Sequence, residues 1–169
     1  MNNSELQTKL LSRLQSTGRE GMTETIAYLK GSDYFSVGCH RHHRYSGGLA
    51  RHSLEACDYA LRNRGELPED SVIIAALLHD VCTAHSGAAR HIHGHGRRSI
   101  LILREICHLK LTQEEREAIL LHMHPEAAAM RTNPLAHLVC RADKLSAAGL
   151  VRVRNERIRS IDKKHGNNR

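Results

Sequence analysis

A seven-residue apolar run, Val72 to Leu78, ends on His79 and Asp80 side by side. Two ionisable groups at the end of a buried segment are costly. An unpaired buried carboxylate costs several kcal/mol or becomes neutral, so such pairs have a strong partner, and a metal ion is the commonest one. Other segments supply His52, His95, His122 and Asp143, so the order along the chain is H, HD, H, H, D. Imidazole and carboxylate suit Mn, Fe, Zn, Co or Ni, and four His with two Asp are enough to hold two ions that share a carboxylate. Asp80 is the natural bridge.

The elements that must position these residues read as helices. Leu6, Leu10 and Leu14 recur every fourth residue in Ser4 to Leu14, and a second helix covers Thr23 to Leu29. Ser32 to Gly48 mixes Gly, Ser, Asp, Arg and His without a period, which marks a long polar loop, and such loops are often functional. From Leu49 to Asn63, Arg51, Glu55, Asp58 and Arg62 form a polar arc, with Ala50, Leu54, Cys57 and Leu61 opposite. His52 falls at the edge of the apolar arc, in the wall of a cleft. Ser71 to Cys82 is apolar nearly all round, as a bundle's central helix would be.

His85 to Gly96 is irregular, with His91, His93 and His95 at alternate positions, and a helix resumes over Ser99 to His108. Thr112 and Glu115 form a capping-box pattern that opens Gln113 to Met123, with His122 in its last turn and Pro125 ending it. Asn133 and Pro134 start Leu135 to Ala148, which carries Asp143.

The totals agree with an all-α fold, a single-domain helical bundle. The chain has 169 residues, 40% of them hydrophobic, with one Phe and no Trp, so its core is Leu, Ile, Val and Ala. The expected division is N-terminal helices over 1–31, a metal-binding core over 32–150 and a basic tail over 151–169. Five Cys, at 39, 57, 82, 107 and 140, include no CxxC pair and give no disulfide framework. Met1 to Leu10 lacks the apolar stretch of a signal peptide, and no run approaches the roughly 18 apolar residues of a membrane span. A soluble cytoplasmic protein without a membrane partner is expected, its oligomeric state open. The net charge is +7, and Arg152 to Arg169 holds seven Lys or Arg against two acids. Such a tail recruits nucleic acid through phosphate contacts or, lacking aromatics for stacking, is a solvated helix end.

Five stretches carry a resemblance: YSGGLARHSLEA around His52, AALLHDVC around His79 and Asp80, HGHGRRS around His95, EREAILLHMHPE around His122 and RADKLSAA around Asp143. In this order and on a helical background the chain resembles the HD-domain superfamily of metal-dependent phosphohydrolases from about Tyr45 to Ala148. It is nearest the small bacterial and phage hydrolases of that group. The resemblance implies one ion on His52, His79, Asp80 and Asp143, and a second on His95, His122 and the shared Asp80. Relatives with a second His directly after the one matching His122 recruit a third ion. Here Met123 stands there, so a dinuclear site is expected, holding Mn, Fe, Co, Ni or Mg.

Coordination lowers the pKa of water toward about 7, so a hydroxide bridging two ions is a nucleophile, and the ions offset charge on phosphoryl oxygens. The implied reaction is in-line attack on a phosphomonoester or phosphodiester, with a nucleotide the expected substrate. Arg97 and Arg98 beyond His95, and Lys144 beside Asp143, are the candidates for binding substrate phosphate, with Arg51 and Arg90 behind them. Many relatives read HDxxK, whereas Thr83 stands at the Lys position here. That departure leaves room for a mixed-valence di-iron oxygenase with the same six ligands, and a third reading is a non-catalytic basic module binding nucleotides or RNA. His91 and His93 rival His95, and His124 rivals His122. Cys39, His40, His42 and His43 form either an independent zinc site or a polar loop at the rim of the cleft, with Tyr45 near substrate.

Overall fold

The computed structural model describes residues 2–84 and 94–151, all helix, turn or loop with no strand among them. Among the described residues eight α-helices follow one another: α1 Asn3–Ser16, α2 Met22–Gly31, α3 Gly48–Arg62, α4 Glu69–Leu78, α5 His95–Leu101, α6 Gln113–Leu121, α7 Glu126–Thr132 and α8 Pro134–Ala147. A 3₁₀ turn, Val81–Thr83, follows α4, and a π turn, Ile102–Ile106, continues α5.

The bundle is built around α4. Ser71 to Leu78 are all buried, and α1, α3, α6 and α8 pack around them. Each fully buried Leu or Ile contributes about 1.5–3 kcal/mol of transfer free energy. Glu69 and Asp70 in the first turn of α4 complement the helix dipole. From the loop after α2 the buried Tyr34 donates its phenol to the Leu77 carbonyl at 2.8 Å. The expected caps form: Asn2 and Glu5 satisfy each other's backbone amides at α1, as do Thr112 and Glu115 at α6. Asn133 accepts from the Ala136 amide at 2.7 Å, with Pro134 in the first turn of α8.

Between α1 and α2, Arg19 reaches across the bundle. It donates to Asp70 Oδ2 at 2.7 Å, Glu115 Oε2 at 2.8 Å and the Lys110 carbonyl at 3.0 Å. Glu115 is fully buried, so this guanidinium neutralises an acid in the core while joining the starts of α4 and α6.

Three elements differ from the sequence reading. The stretch between Pro125 and Asn133 holds α7, because the Ala run at 127–129 has high helix propensity and Pro125, read as a stop, also initiates the next helix. α4 ends at Leu78 rather than Cys82, since the chain tightens into the 3₁₀ turn in which the Thr83 amide and hydroxyl both donate to the Asp80 carbonyl. α5 begins at His95 rather than Ser99. Gly94, at φ 71°, turns the chain into the helix, and a Cβ at Gly96 would sit 2.3 Å from the Ile119 carbonyl oxygen. These glycines serve a close α5–α6 approach instead of breaking the helix.

Candidate metal centre

Four helix ends and one helix face converge on a single buried point. His52 lies in the first turns of α3, His79 directly follows α4 with Asp80 next, His122 directly follows α6, and Asp143 faces inward from α8. His52, His79 and His122 are wholly buried, and Asp80 and Asp143 nearly so. His95, the first residue of α5, stands at the edge with its Nδ1 3.5 Å from Asp80 Oδ1.

The hydrogen bonds fix which ring nitrogens face the centre. His79 Nδ1 is 2.9 Å from the Ala76 carbonyl and His122 Nδ1 is 2.7 Å from the Ile119 carbonyl. A carbonyl only accepts, so both Nδ1 atoms donate, and in the neutral rings each Nε2 carries a lone pair. His52 Nδ1 is 3.0 Å from Ser146 Oγ, whose hydroxyl in turn donates to the His52 carbonyl at 3.2 Å, which leaves His52 in the same tautomer. The three Nε2 atoms point at one another and at two carboxylates. His52 Nε2 is 3.2 Å from His79 Nε2 and 3.0 Å from Asp143 Oδ1. His122 Nε2 is 3.1 Å from Asp80 Oδ1, and His79 Nε2 lies 3.6 Å from Asp143 Oδ1 and 3.7 Å from Asp80 Oδ2. Two ring lone pairs 3.2 Å apart repel, and a proton or a metal cation between them removes the conflict.

Electrostatics say the same. Burial works against ionised Asp80, yet His79 and hydrogen bonds from His122 and His95 outweigh it and hold the carboxyl well below the usual range. Burial likewise opposes Asp143, and hydrogen bonds from His52 and His79 prevail. His79, whose burial alone would favour the neutral ring, is raised to about 9 by Asp80 and Asp143. The site is an anionic pocket that takes up positive charge.

Among the described residues, three groups have ligand atoms all within 4.8 Å of one another: His52 with His79 and Asp143, His79 with Asp80 and His122, and His42 with His43 and His52. The first two share His79 and contain five of the six expected ligands, and the sixth, His95, lies beside the second. The rivals are placed too. His124 is exposed and offers its backbone carbonyl to Lys144, while His91 and His93, with Arg90, lie outside the described residues. Arg97 and Arg98 are exposed in the first turn of α5, and Arg51 is half-buried on α3. Lys144 Nζ is 2.7 Å from the His124 carbonyl and 2.9 Å from Cys140 Sγ, over the corner between α6 and α7.

The loop before α3, expected as either an independent zinc site or a polar rim of the cleft, packs against the centre. His42 and His43 turn inward against His52, with ring centroids 4.5 and 5.4 Å from it, while His40 is exposed. The buried Cys39 is a protonated thiol, since burial pushes it up, and it joins none of the three groups. Burial, with His52 and His43 nearby, lowers His42 to about 4, so its ring is neutral at neutral pH. Glu55, expected on the polar arc of α3, is buried, because the loop folds over that face and His43 Nε2 lies 3.0 Å from Glu55 Oε2. Its place three residues after His52, on the same helix face, was the available signal.

The fold and site thus define an all-helical protein with a buried His and Asp centre able to hold metal. A family model of the HD domain matches residues 49–148. The chain belongs to the HD-domain superfamily, which generally marks metal-dependent phosphohydrolases. No curated protein and no solved structure matches it.

Proposed function

We propose that the chain is a dinuclear metallohydrolase that cleaves a phosphomonoester or phosphodiester, with a nucleotide as its substrate class. The observation that carries this reading is the facing pair of Nε2 atoms, His52 and His79, with Asp143 on one side and Asp80 leading to His122 and His95 on the other. The donor set fits divalent transition ions in charge and chemistry. His52, His79, Asp80 and Asp143 would hold one ion, and Asp80, His95 and His122 the other. Bound there, the ions supply a water of lowered pKa and positive charge for the phosphoryl oxygens.

The chain's own groups do the rest. Ser146, Ala76 and Ile119 hold the Nδ1 side of three imidazoles, so each Nε2 is turned to the centre and its Nδ1 partner is kept when an ion binds. Arg97 and Arg98 on α5, beside His95, and Lys144 on α8, beside Asp143, are proposed to hold the substrate phosphate. The apolar shell of α4 excludes water from the inner side of the site.

The test is metal content per chain after purification without added metal, beside an Asp80→Ala variant, followed by turnover of a generic phosphomonoester and phosphodiester. Two ions per chain, lost in the variant, with hydrolysis supported by Mn, Co or Ni, is the expected result. A chain that holds no metal and gains none from added Mn or Fe overturns it. One observation favours a second reading, a mixed-valence di-iron oxygenase: Thr83 stands at the Lys position of HDxxK, and its hydroxyl donates to the Asp80 carbonyl. Iron in the purified protein with substrate-dependent oxygen consumption distinguishes the two.

A further inference from the structure

We infer that His42 is a further ligand of the ion held by His52, a fifth imidazole that a loop rather than a helix brings to the centre. This rests on the dinuclear reading above and adds to it a residue outside the five family stretches.

Three side chains, Glu55, His43 and His42, form a relay. The Glu55 carboxylate only accepts, so His43 donates to it from Nε2 across 3.0 Å. In the neutral ring the remaining nitrogen, His43 Nδ1, then carries a lone pair, and it lies 3.1 Å from His42 Nδ1. His42 must therefore donate from Nδ1, which leaves its Nε2 with the free lone pair. His52, His79 and His122 are prepared in the same way: Nδ1 is tied to an acceptor and Nε2 is left to bind. A metal-bound imidazole has its other nitrogen held like this as a rule. His42 meets the condition through a relay from a buried carboxylate, with its ring packed on His52.

The loop is built to stay there. His43 adopts a left-handed φ of 45°, and its carbonyl accepts from the Cys39 amide at 3.2 Å and the Tyr45 amide at 2.9 Å. That same carbonyl presses on the start of α3, where a Cβ on Gly48 would come within 1.8 Å of its oxygen. Leu49 also donates to the Val37 carbonyl at 3.0 Å. Backbone strain of this kind is sustained where the surroundings fix a residue. An added imidazole shifts the ion's preference from Mg toward Fe, Co, Ni and Zn.

The experiment titrates Co²⁺ into metal-free protein by calorimetry and records the visible absorption of bound Co²⁺, for the natural chain, His42→Ala and His42→Phe. The phenylalanine keeps a ring against His52 and removes only the donor, so it covers an alanine variant that does not fold. The expected result is two ions in every folded protein, with affinity at one position reduced about 10- to 100-fold in both variants and a changed Co²⁺ spectrum. Two ions bound with unchanged affinity and superimposable spectra overturn the assignment of His42 and leave the dinuclear reading standing. A natural chain that takes up no Co²⁺ overturns both.

Discussion

Asp80 differs from Asp143 in what it faces. Asp143 meets His52 and His79, whereas Asp80 meets His79, His95 and His122. Asp80→Ala should therefore lose both ions, while Asp143→Ala should keep the one on the His122 side, and elemental analysis of the two variants reads the difference. The metal-free chain should also show a bell-shaped dependence of melting temperature on pH. His79 is raised from 6.5 to about 9, so its contribution is complete below pH 6.5 and disappears as the pH rises through 9. His42 is lowered to about 4, so its contribution is complete above pH 6.5 and falls as the pH drops toward 4. Asp80 and Asp143, held below the ordinary 3.8, lose theirs at still lower pH. The maximum is expected near pH 6.5 in chelator-treated protein, and a melting temperature that climbs steadily from pH 6.5 to 9 would contradict the arrangement. His79 and Asp80 stand out in the sequence because they end an apolar run, whereas His95 and His122 are separated from the histidines beside them by the family resemblance and not by spacing. His42 and His43 read as part of a loop at the rim of the cleft, but the burial of Glu55 against His43 was not legible, because it comes from a fold-back that no local period encodes.

At the scale of the element, the helices rich in Leu, Ile and Val and the capped ends were readable from spacing. The short helices were not. α5 and α7 each have seven residues, so glycines and prolines dominate their local signal although packing settles them. At the start of the longer α3, Gly48 makes a closer approach still, to the backbone of a residue five positions earlier. Gly48→Ala should destabilise the protein by about 1–3 kcal/mol, because the contact is with a main-chain oxygen that cannot swing aside. It should also weaken metal binding in the manner of His42→Ala, by moving the loop. Chemical denaturation and a Co²⁺ titration measure the two effects separately.

Over the whole molecule, Arg19, between the first two helices, ties them to the starts of α4 and α6. Arg19→Met leaves Glu115 buried without its guanidinium, and a loss of about 3–5 kcal/mol is expected in equilibrium unfolding, with no change in the number of ions bound. A double variant, Arg19→Met with Glu115→Gln, should recover part of it, since the uncompensated charge is then gone. None of the described helices is long and apolar enough to cross a membrane.

The proposed ligands come from the loop before α3, from α3, the ends of α4 and α6, α5 and α8, so the first and last of them, His42 and Asp143, stand far apart along the chain. Two ions that share Asp80 and together bind all of them form a crosslink that the unfolded chain cannot make. Free metal at a hundred times its dissociation constant should add about 2.7 kcal/mol to the folded state. The melting temperature would then track the metal activity of the surroundings, and the protein would be most vulnerable to heat and proteases when metal is scarce.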